Sequence, residues 1–374
     1  MAAVDKILIL SSQLRQARES LGLGLEEAAK DLGINPEDLY AWEKGYSQPS
    51  VEDLWKLAEL YQRSTDYFLR QRPPPEQLNF RLVQRKGISD LPLGVRNVLV
   101  RFEELCRAQS ELEALLGKQR KILVQRLTNG LSPEEMASHE RQRLKQGERP
   151  IKNLRTLLTS QGVRIFELDV PGNEVAGISW WHQEYGPCIL INAKDNPGRR
   201  CFTLAHEYAH RLRSDPSTVC DLKKVEVSEE LLANKFAAVF LMPATDLERE
   251  FHERVGLAGT VPTENQLRTL ANRYGVSLEA VGIRLKELEL LKAGIIDSLI
   301  LEWEQRKQGP HRGSKSPRWR RRLGEGYVSL AFEAHREGHI SLGKLAQYLE
   351  LDVGKALEEV DKEIKAPGGS RSNG

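Results

Sequence analysis

Residues 202–210 read Phe-Thr-Leu-Ala-His-Glu-Tyr-Ala-His, a stretch typical of a helix that ends in the pattern H-E-x-x-H. His206 and His210 are four residues apart, so a helix places them on one face, where both imidazoles can bind one metal ion. Glu207, next to the first histidine, can reach a water molecule on that metal, which is the minimum equipment of a zinc hydrolase. Because so short a pattern also arises by chance, the residues around it have to support this interpretation.

The third protein ligand of such a centre has to come from elsewhere in the chain, because two histidines and a water do not complete a tetrahedral catalytic zinc. No glycine or histidine follows His210 at the places that a three-histidine site requires. The next predicted helix, near residues 228–241, supplies three glutamates at its start: Glu226, Glu229 and Glu230. The residues alone leave all three open.

The segments before the motif alternate between apolar and polar residues, which is typical of strands. Short strands are predicted around residues 163–167, 178–180 and 188–191. Asp195-Asn196-Pro197 then caps the helix that carries the motif, and Ser132-Pro133-Glu134-Glu135 marks an earlier helix start. A small sheet beside several helices is therefore expected around the motif.

Several motifs at ordered spacing resemble the ImmA/IrrE group of metallopeptidases over residues 131–290. They are Ile189-Leu190-Ile191-Asn192, the stretch 202–210, Ala233-Asn234-x-Phe236-Ala237-Ala238 and Leu241-Met242-Pro243. The resemblance implies a zincin-like α+β fold, a Zn²⁺ cofactor held by His206, His210 and a glutamate, and Glu207 as general base. In that family the glutamate ligand lies four residues before the asparagine, which corresponds to Glu230 in this chain.

The resemblance also implies a biological role. This role is limited, site-specific cleavage of a partner protein, often a DNA-bound repressor, in stress response or mobile-element control. One rival hypothesis is a DNA-binding transcription regulator or antitoxin-like protein whose peptidase fold only senses a metal or a ligand. The other rival is a non-catalytic binding scaffold. The protein substrate, its cleavage site and the oligomeric state do not follow from the sequence.

The strand region before the motif offers further candidate site residues. Substrates of zinc peptidases commonly lie extended along an edge strand beside the metal helix, which is one expected use of residues 175–192. Trp180 and Trp181 would then line the cleft; alternatively, one belongs to the core and the other is partly exposed. His182 and Tyr185 are candidates for stabilising the oxyanion, against an ordinary surface or loop position for each.

Residues 12–70 form short helical patterns that resemble the Cro/CI-type helix-turn-helix domain. Leu25–Ile34 and Leu39–Gly45 carry the resemblance, and Asn35-Pro36 between them provides a cap and a first helical residue. In that family the helix from Pro36 to Glu43 would lie in the major groove. The candidate contacts to double-stranded DNA are Asn35, Glu37, Asp38, Tyr40 and Lys44.

The charge of this block argues against strong DNA binding. Residues 12–70 carry seven basic and eleven acidic side chains, and Glu37 and Asp38 would repel phosphate. The predicted recognition helix has no Arg, Asn or Gln for a bidentate base contact. A helix-turn-helix domain that docks on protein is therefore an alternative to one that binds DNA.

The bulk composition adds weaker constraints. The chain has 374 residues, a net charge of +2 and 4 scattered cysteines, which predicts two or three domains and reduced thiols. No apolar run reaches spanning length, so a cytoplasmic protein without a membrane partner is expected. Arg306–Arg322 holds eight basic and no acidic side chains, and either clamps phosphates or serves as a flexible basic linker.

The predicted organisation is a mainly α-helical multidomain chain. The expected parts are a four- or five-helix helix-turn-helix domain at 1–71, a linker with connecting helices at 72–130, an α+β zincin-like metallopeptidase domain with a small sheet at 131–292, a basic linker and helical C-terminal region at 293–366, and a disordered tail at 367–374. Residues 92–129 are predicted to form one long helix or a helix pair. Residues 340–349 and 353–360 are expected to form two helices with a tight turn, a second small helix-turn-helix in outline but without an assigned role.

Overall fold

The computed structural model describes residues 2–63, 65–69, 90–127, 130–172, 175–213, 226–292, 294 and 318–365. The chain divides into two compact units. The first is formed by Met1–Ala108 with Asp169–Asn173, and the second by Gln109–Leu168 with Glu174–Gly374. Residues 70–89, which include the start of the predicted linker, the basic run up to residue 317 and the tail at 367–374 lie outside the described residues. The five-part division therefore stays a prediction.

The first unit contains the predicted helix-turn-helix block as five helices. These are α1 (Ala2–Ser20), α2 (Leu25–Leu32), α3 (Pro36–Lys44), α4 (Val51–Leu60) and α5 (Thr65–Leu69). Gly33 and Gly45 end α2 and α3 with φ angles of 69° and 74°, a left-handed conformation that only glycine adopts without steric strain. Asn35 occupies the N-cap of α3 as expected, although its side chain makes no capping hydrogen bond.

The helix that follows is shorter than predicted. It is α6 (Leu93–Leu115), whereas one long helix or a helix pair is expected over residues 92–129. Gly117 adopts a φ of 64° and closes the helix. Residues 118–127 continue without helical structure. The prediction is therefore wrong for residues 118–127, because Gly117 ends the helix before them.

The sheet of the second unit has three strands, β1 (Arg164–Leu168), β2 (Gly177–His182) and β3 (Gly186–Asn192), in the order β1–β3–β2. β1 runs parallel to β3, and β2 runs antiparallel to it. The central strand β3 is buried along its whole length, which explains its continuous apolar sequence. β2 is an edge strand and, among the described residues, pairs with β3 alone.

Seven helices of the second unit belong to the region of the metal motif. They are α7 (Pro133–Arg143), α8 (Leu154–Ser160), α9 (Pro197–Arg213), α10 (Glu226–Leu241), α11 (Ala244–Arg254), α12 (Glu264–Tyr274) and α13 (Leu278–Glu287). Helix α9 packs on β2, β3 and α10, and α10 also packs on α7. Both predicted caps are present: Ser132 forms a capping box with Glu135, and Asn196 accepts a hydrogen bond from the amide of Arg199.

Four more helices follow in the second unit, and the first two of them pack on the other face of the sheet. They are α14 (Arg318–Leu323), α15 (Glu325–Arg336), α16 (Leu342–Leu349) and α17 (Val353–Lys365), and the last two include the predicted C-terminal pair. Phe166 of β1 packs edge-to-face on Tyr327 of α15, with ring centroids 5.5 Å apart. Its neighbour Ile165 belongs instead to the core shared with α9. Because side chains alternate along a strand, the sheet lies between two helical layers.

Two remaining expectations concern the membrane and the thiols. None of the helices in the described ranges has the length and apolar character that crossing a bilayer requires. Cys106, Cys188 and Cys201 form no disulfide, as expected of reduced thiols, whereas Cys220 lies outside the described residues. Burial raises the pKa of the Cys201 thiol to about 11, so the thiolate form is disfavoured there.

Candidate metal centre

His206 and His210 lie on the same face of α9, one turn apart. Their Nε2 atoms are 3.2 Å apart, and their ring planes are inclined by 78°. His210 is buried and His206 is partly exposed, so the pair lies at the edge of the core. Both imidazoles thus direct the same ring nitrogen towards one point.

Glu230 of α10 completes a cluster with these two histidines. Its carboxylate oxygens lie 3.0 Å from Nε2 of His206 and 3.5 Å from Nε2 of His210. Bonds of about 2.0–2.1 Å to a tetrahedral ion place neighbouring donor atoms about 3.3 Å apart. The three donors therefore fit three corners of a tetrahedron around a small divalent cation, and they are the candidate metal-binding cluster of the described residues.

The two other glutamates considered as third ligand do not join this cluster in the described part of the chain. Glu229 precedes Glu230 on α10 but is not a member of the cluster. The side chain of Glu226 lies outside the described residues. The geometry therefore favours Glu230 over its neighbour.

Asn234 lies one turn after Glu230 on α10, and its Oδ1 is 2.9 Å from Nδ1 of His206. Because an amide oxygen only accepts, this contact keeps a proton on Nδ1, so the neutral imidazole carries its lone pair on Nε2, where a metal can bind. No role was predicted for Asn234, which served only as a landmark of the family resemblance. Its four-residue spacing from Glu230 was the available signal, since it puts both side chains on one helical face.

The electrostatics of the cluster couple the histidines to the carboxylate. Hydrogen bonds from His206 and His210 hold the pKa of Glu230 well below its usual range. Burial by itself would lower the pKa of His206, but the hydrogen bond to Glu230 and the charges of Glu207 and Glu230 outweigh this and raise it. Glu230 is therefore ionised at neutral pH, as a metal ligand has to be.

Glu207 lies on a different side of α9 from the two histidines and faces β2. Its side chain is 8% exposed and lies beside Gly177, the first residue of that strand. Thr203, one turn earlier on α9, contacts the same glycine. Glu207 therefore follows the metal-cluster residue His206 directly in the sequence, while its side chain packs against the edge strand β2.

A buried polar network holds the opposite side of α9. The hydroxyl of Tyr208 donates to Glu140 of α7 at 2.5 Å, and Arg143 donates both to Glu140 and to Tyr208. Glu140 has no exposed surface, so its charge depends on these donors. Burial and the carboxylate of Glu140 raise the pKa of Tyr208 well above its usual value, which keeps the phenol protonated as a donor.

The remaining predicted site residues on β2 lie away from Glu207. His182 is five residues after Gly177, which corresponds to about 16 Å along a strand, so the structure does not bring His182 or the following Tyr185 to the centre. The His182 and Tyr185 rings stack on each other instead, with centroids 3.9 Å apart. Trp180 is buried, with 4% of its surface exposed, and Trp181 is partly exposed. This agrees with the alternative in which one of the two tryptophans belongs to the core and does not line a cleft.

The five candidate DNA contacts all lie on exposed positions of α3 or at its start: Asn35, Glu37, Asp38, Tyr40 and Lys44. The acidic residue that ends the predicted recognition segment, Glu43, is turned inwards and forms an ion pair with Arg18 at 2.7 Å. The acidic character of the outer surface of α3 therefore rests on Glu37 and Asp38.

Comparison with known families finds a match for the region of the histidine cluster and another for the helix-turn-helix block. The model of the IrrE N-terminal-like domain matches residues 158–286, and a helix-turn-helix model matches residues 14–68. The chain joins a helix-turn-helix domain to a domain of the IrrE type. The peptidase-domain match contains β1–β3, the two histidines and Glu230, and the helix-turn-helix match contains α2 and α3.

Three curated proteins are each similar to a part of this chain. The transcriptional regulator ImmR of Bacillus subtilis is 40% identical over 60 residues, 16% of this chain and 47% of ImmR. The radiation response metalloprotease IrrE of Deinococcus deserti is 38% identical over 106 residues, 26% of this chain and 36% of that protein. IrrE of Deinococcus radiodurans is 34% identical over 130 residues, 32% of this chain and 38% of that protein. The chain thus spans less than half the length of each relative.

The contact between Asn234 and His206 predicts a measurable effect on metal affinity. Asn234→Leu removes the acceptor that fixes the ring, so Zn²⁺ affinity should fall by about tenfold or more. Asn234→Asp keeps an acceptor at this position and should stay close to wild type or bind more tightly. Competition with a chromophoric chelator measures both variants, and wild-type affinity of Asn234→Leu would contradict the assignment.

The buried network behind α9 predicts an effect on stability. Tyr208→Phe deletes a donor to the buried carboxylate of Glu140 and should destabilise the folded second unit by about 1.5–3 kcal/mol, as is typical of hydrogen bonds to charged groups. Urea unfolding followed by circular dichroism measures this change. Tyr46→Phe is the matched control, because Tyr46 is 77% exposed and should alter stability little. Equal effects of the two substitutions would refute the role of the network.

Proposed function

We propose that the IrrE-type domain is a zinc-dependent endopeptidase that cleaves a partner protein. One observation carries this proposal: His206, His210 and Glu230 present donor atoms 3.0–3.5 Å apart while Glu207 lies next to them against an edge strand. The family match over residues 158–286 and the similarity to proteins named metalloproteases support the reaction class.

The donor set fits zinc. His206 and His210 would bind through Nε2, and Glu230 through a carboxylate oxygen, which leaves a fourth position open as in catalytic sites. When bound, zinc supplies Lewis-acid chemistry that polarises a peptide carbonyl and lowers the pKa of water. Asn234 keeps His206 in the tautomer that this binding requires.

Glu207 is the proposed general base. Its carboxylate would take a proton from the attacking water at the start of the reaction and deliver it to the amine that leaves. Its burial against β2 supports this role, because a side chain packed against the strand keeps its position during the step. No side chain of this chain is assigned to stabilise the oxyanion.

The proposed substrate is an extended segment of a protein that adds to β2. In the strand order β1–β3–β2, β2 lies at the edge of the sheet, and extended peptides commonly add to such an edge strand. Gly177 lies at the end of this edge nearest Glu207, and the partly exposed Trp181 lies towards the other end. A segment bound there would therefore pass the proposed base near the start of the strand.

The proposed biological role is regulatory cleavage, with a transcriptional repressor as the expected kind of substrate, in stress response or mobile-element control. The fusion to a helix-turn-helix domain supports this role, as does the similarity to ImmR, a protein named as a transcriptional regulator. The rival hypothesis, a regulator whose peptidase fold only senses a metal or a ligand, shares the metal cluster but needs no base at Glu207.

Glu207→Gln separates catalysis from sensing. The amide cannot accept the proton, so cleavage should fall by at least about a hundredfold, while Zn²⁺ content stays near wild type because the three donors are untouched. His206→Ala should lower the Zn²⁺ content itself. Elemental analysis of the purified proteins measures the metal, and comparison of new protein N-termini in cells carrying wild type or Glu207→Gln measures cleavage.

Glu229→Gln is the matched control for these variants. It removes a carboxylate next to Glu230 that is outside the cluster, so both metal content and cleavage should stay unchanged. If Glu207→Gln cells show the same new N-termini as wild-type cells, the peptidase proposal is wrong and the sensor hypothesis gains. If Glu229→Gln loses zinc and Glu230→Gln does not, the ligand assignment has to move by one residue.

DNA recognition by the helix-turn-helix domain is the second proposed function, favoured by the family match over residues 14–68. The exposed acids of α3 predict weak and salt-sensitive binding. Glu37→Lys should strengthen duplex binding severalfold and Lys44→Glu should weaken it, if α3 faces DNA. Glu59→Lys on α4 adds the same charge outside α3 and is the control.

Gel shifts with duplex DNA from the neighbouring promoter, at two salt concentrations, measure these variants. Equal effects of Glu37→Lys and Glu59→Lys would mean that only net charge matters and that α3 is not the DNA-binding helix. Absence of any shift with wild type and with all variants would favour the alternative, a helix-turn-helix domain that docks on protein.

A further inference from the structure

Gly177 begins β2 at the point where this strand meets α9. Its φ is not in the left-handed region, unlike that of many glycines in the described residues, so its backbone conformation is open to any residue. A glycine in a strand is otherwise unfavourable, because it loses more conformational freedom on folding and packs no side chain. The reason for glycine at this position is therefore space and not backbone conformation.

The space beside Gly177 is occupied by two side chains of α9. A methyl group at this position would lie 2.5 Å from Cγ2 of Thr203. It would also lie 3.0 Å from Cγ and 3.1 Å from Oε1 of Glu207. Non-bonded carbon atoms are at their optimum about 3.5–4.0 Å apart, so any side chain here would overlap with both residues.

Neither neighbour can give way without consequence. Thr203 is β-branched and 7% exposed, so its χ1 angle is restricted by its own branching and by the surrounding core. Glu207 has a longer side chain, but it is 8% exposed and would have to turn away from β2. A residue larger than glycine therefore either separates α9 from the strand or displaces the carboxylate of Glu207.

We infer that Gly177 is a positioning residue for Glu207, because its missing side chain lets the substrate-binding edge strand approach the proposed base. The inference rests on the proposed peptidase function and deepens it. A peptide paired with β2 is held at a fixed distance from that strand, so the separation of β2 from α9 sets how far the scissile carbonyl lies from Glu207. Misplacement of reacting groups by about 1 Å can reduce a rate by about a hundredfold.

The first test measures the kinetics of the full chain. Gly177→Ala should lower kcat by about tenfold or more and change KM little, because it moves the base and leaves most of the strand edge intact. Zn²⁺ bound per chain should stay near wild type, since the three donors lie between α9 and α10, away from β2. The substrate is the protein that the comparison of N-termini identifies. Gly326→Ala is the control, because a methyl group there would have its nearest neighbour 3.9 Å away, at Thr159.

Thr203→Ser makes the test specific, because it deletes the Cγ2 methyl that lies closest to Gly177. The double variant Gly177→Ala with Thr203→Ser should recover part of the unfolding midpoint, and its Zn²⁺ content should again stay near wild type. Its kcat should stay low, because the close contacts with Glu207 remain. Full recovery of kcat in the double variant, or wild-type kcat in Gly177→Ala, would overturn the inference.

A second test needs no catalytic activity. Gly177→Ala should lower the midpoint of thermal unfolding by about 3 °C or more in the wild-type background, as expected for an overpacked contact. The shift should be smaller in the Thr203→Ser background and in the Glu207→Ala background, since each removes one of the neighbours. Equal shifts in all three backgrounds would refute the contact. If the wild type cleaves no protein, the proposed function fails. The unfolding midpoints of Gly177→Ala in the three backgrounds still decide whether Gly177 lies in close contact with Glu207.

Discussion

The packing of α9 against three different elements is the constraint on which the second unit depends. His206 and His210 face Glu230 of α10, whereas Glu207 faces β2 and Tyr208 reaches α7. Successive residues of a helix point about 100° apart, so five consecutive positions supply contacts in three directions. A shift of α9 towards one of these neighbours therefore alters its distance to the other two. The positions of the two histidines, of the proposed base Glu207 and of the buried Tyr208 consequently depend on one another.

This arrangement also explains why a helix with so many polar residues can be buried. Each polar group that leaves water needs a partner, because an unpaired one destabilises the folded state by about 1–3 kcal/mol. Tyr208 has Glu140 and Arg143, and His206 has Asn234. These partners come from α7 and α10, which pack on each other as well. The polar contacts of α9 thus tie together the same two helices that the apolar core brings into contact.

Local sequence signals predicted the parts of this structure that depend on neighbours in the chain. The four-residue spacing of the histidines, the capping box at Ser132 and the alternation along the strands all act within one element, and all appear in the fold. The contact of Asn234 with His206 and the close approach of Gly177 to Glu207 each join elements far apart in sequence. The spacing of Asn234 from Glu230 was a signal for the first contact, whereas no spacing rule pointed to the second. The strand pattern also did not predict which of Trp180 and Trp181 is buried, because this depends on how the sheet packs in the folded chain.

The dimensions of β2 restrict what the proposed peptidase can accept. The strand spans six residues, Gly177–His182, so a substrate that pairs with its edge has to offer an extended segment of about 20 Å. Most loops in folded domains are too short for this, with a median of about 4–6 residues between elements. Proteins with an exposed terminus or a long interdomain linker can supply such a segment without unfolding. A requirement for an extended segment at the edge strand would limit cleavage to few sites in few proteins, which is the property that a regulatory peptidase needs.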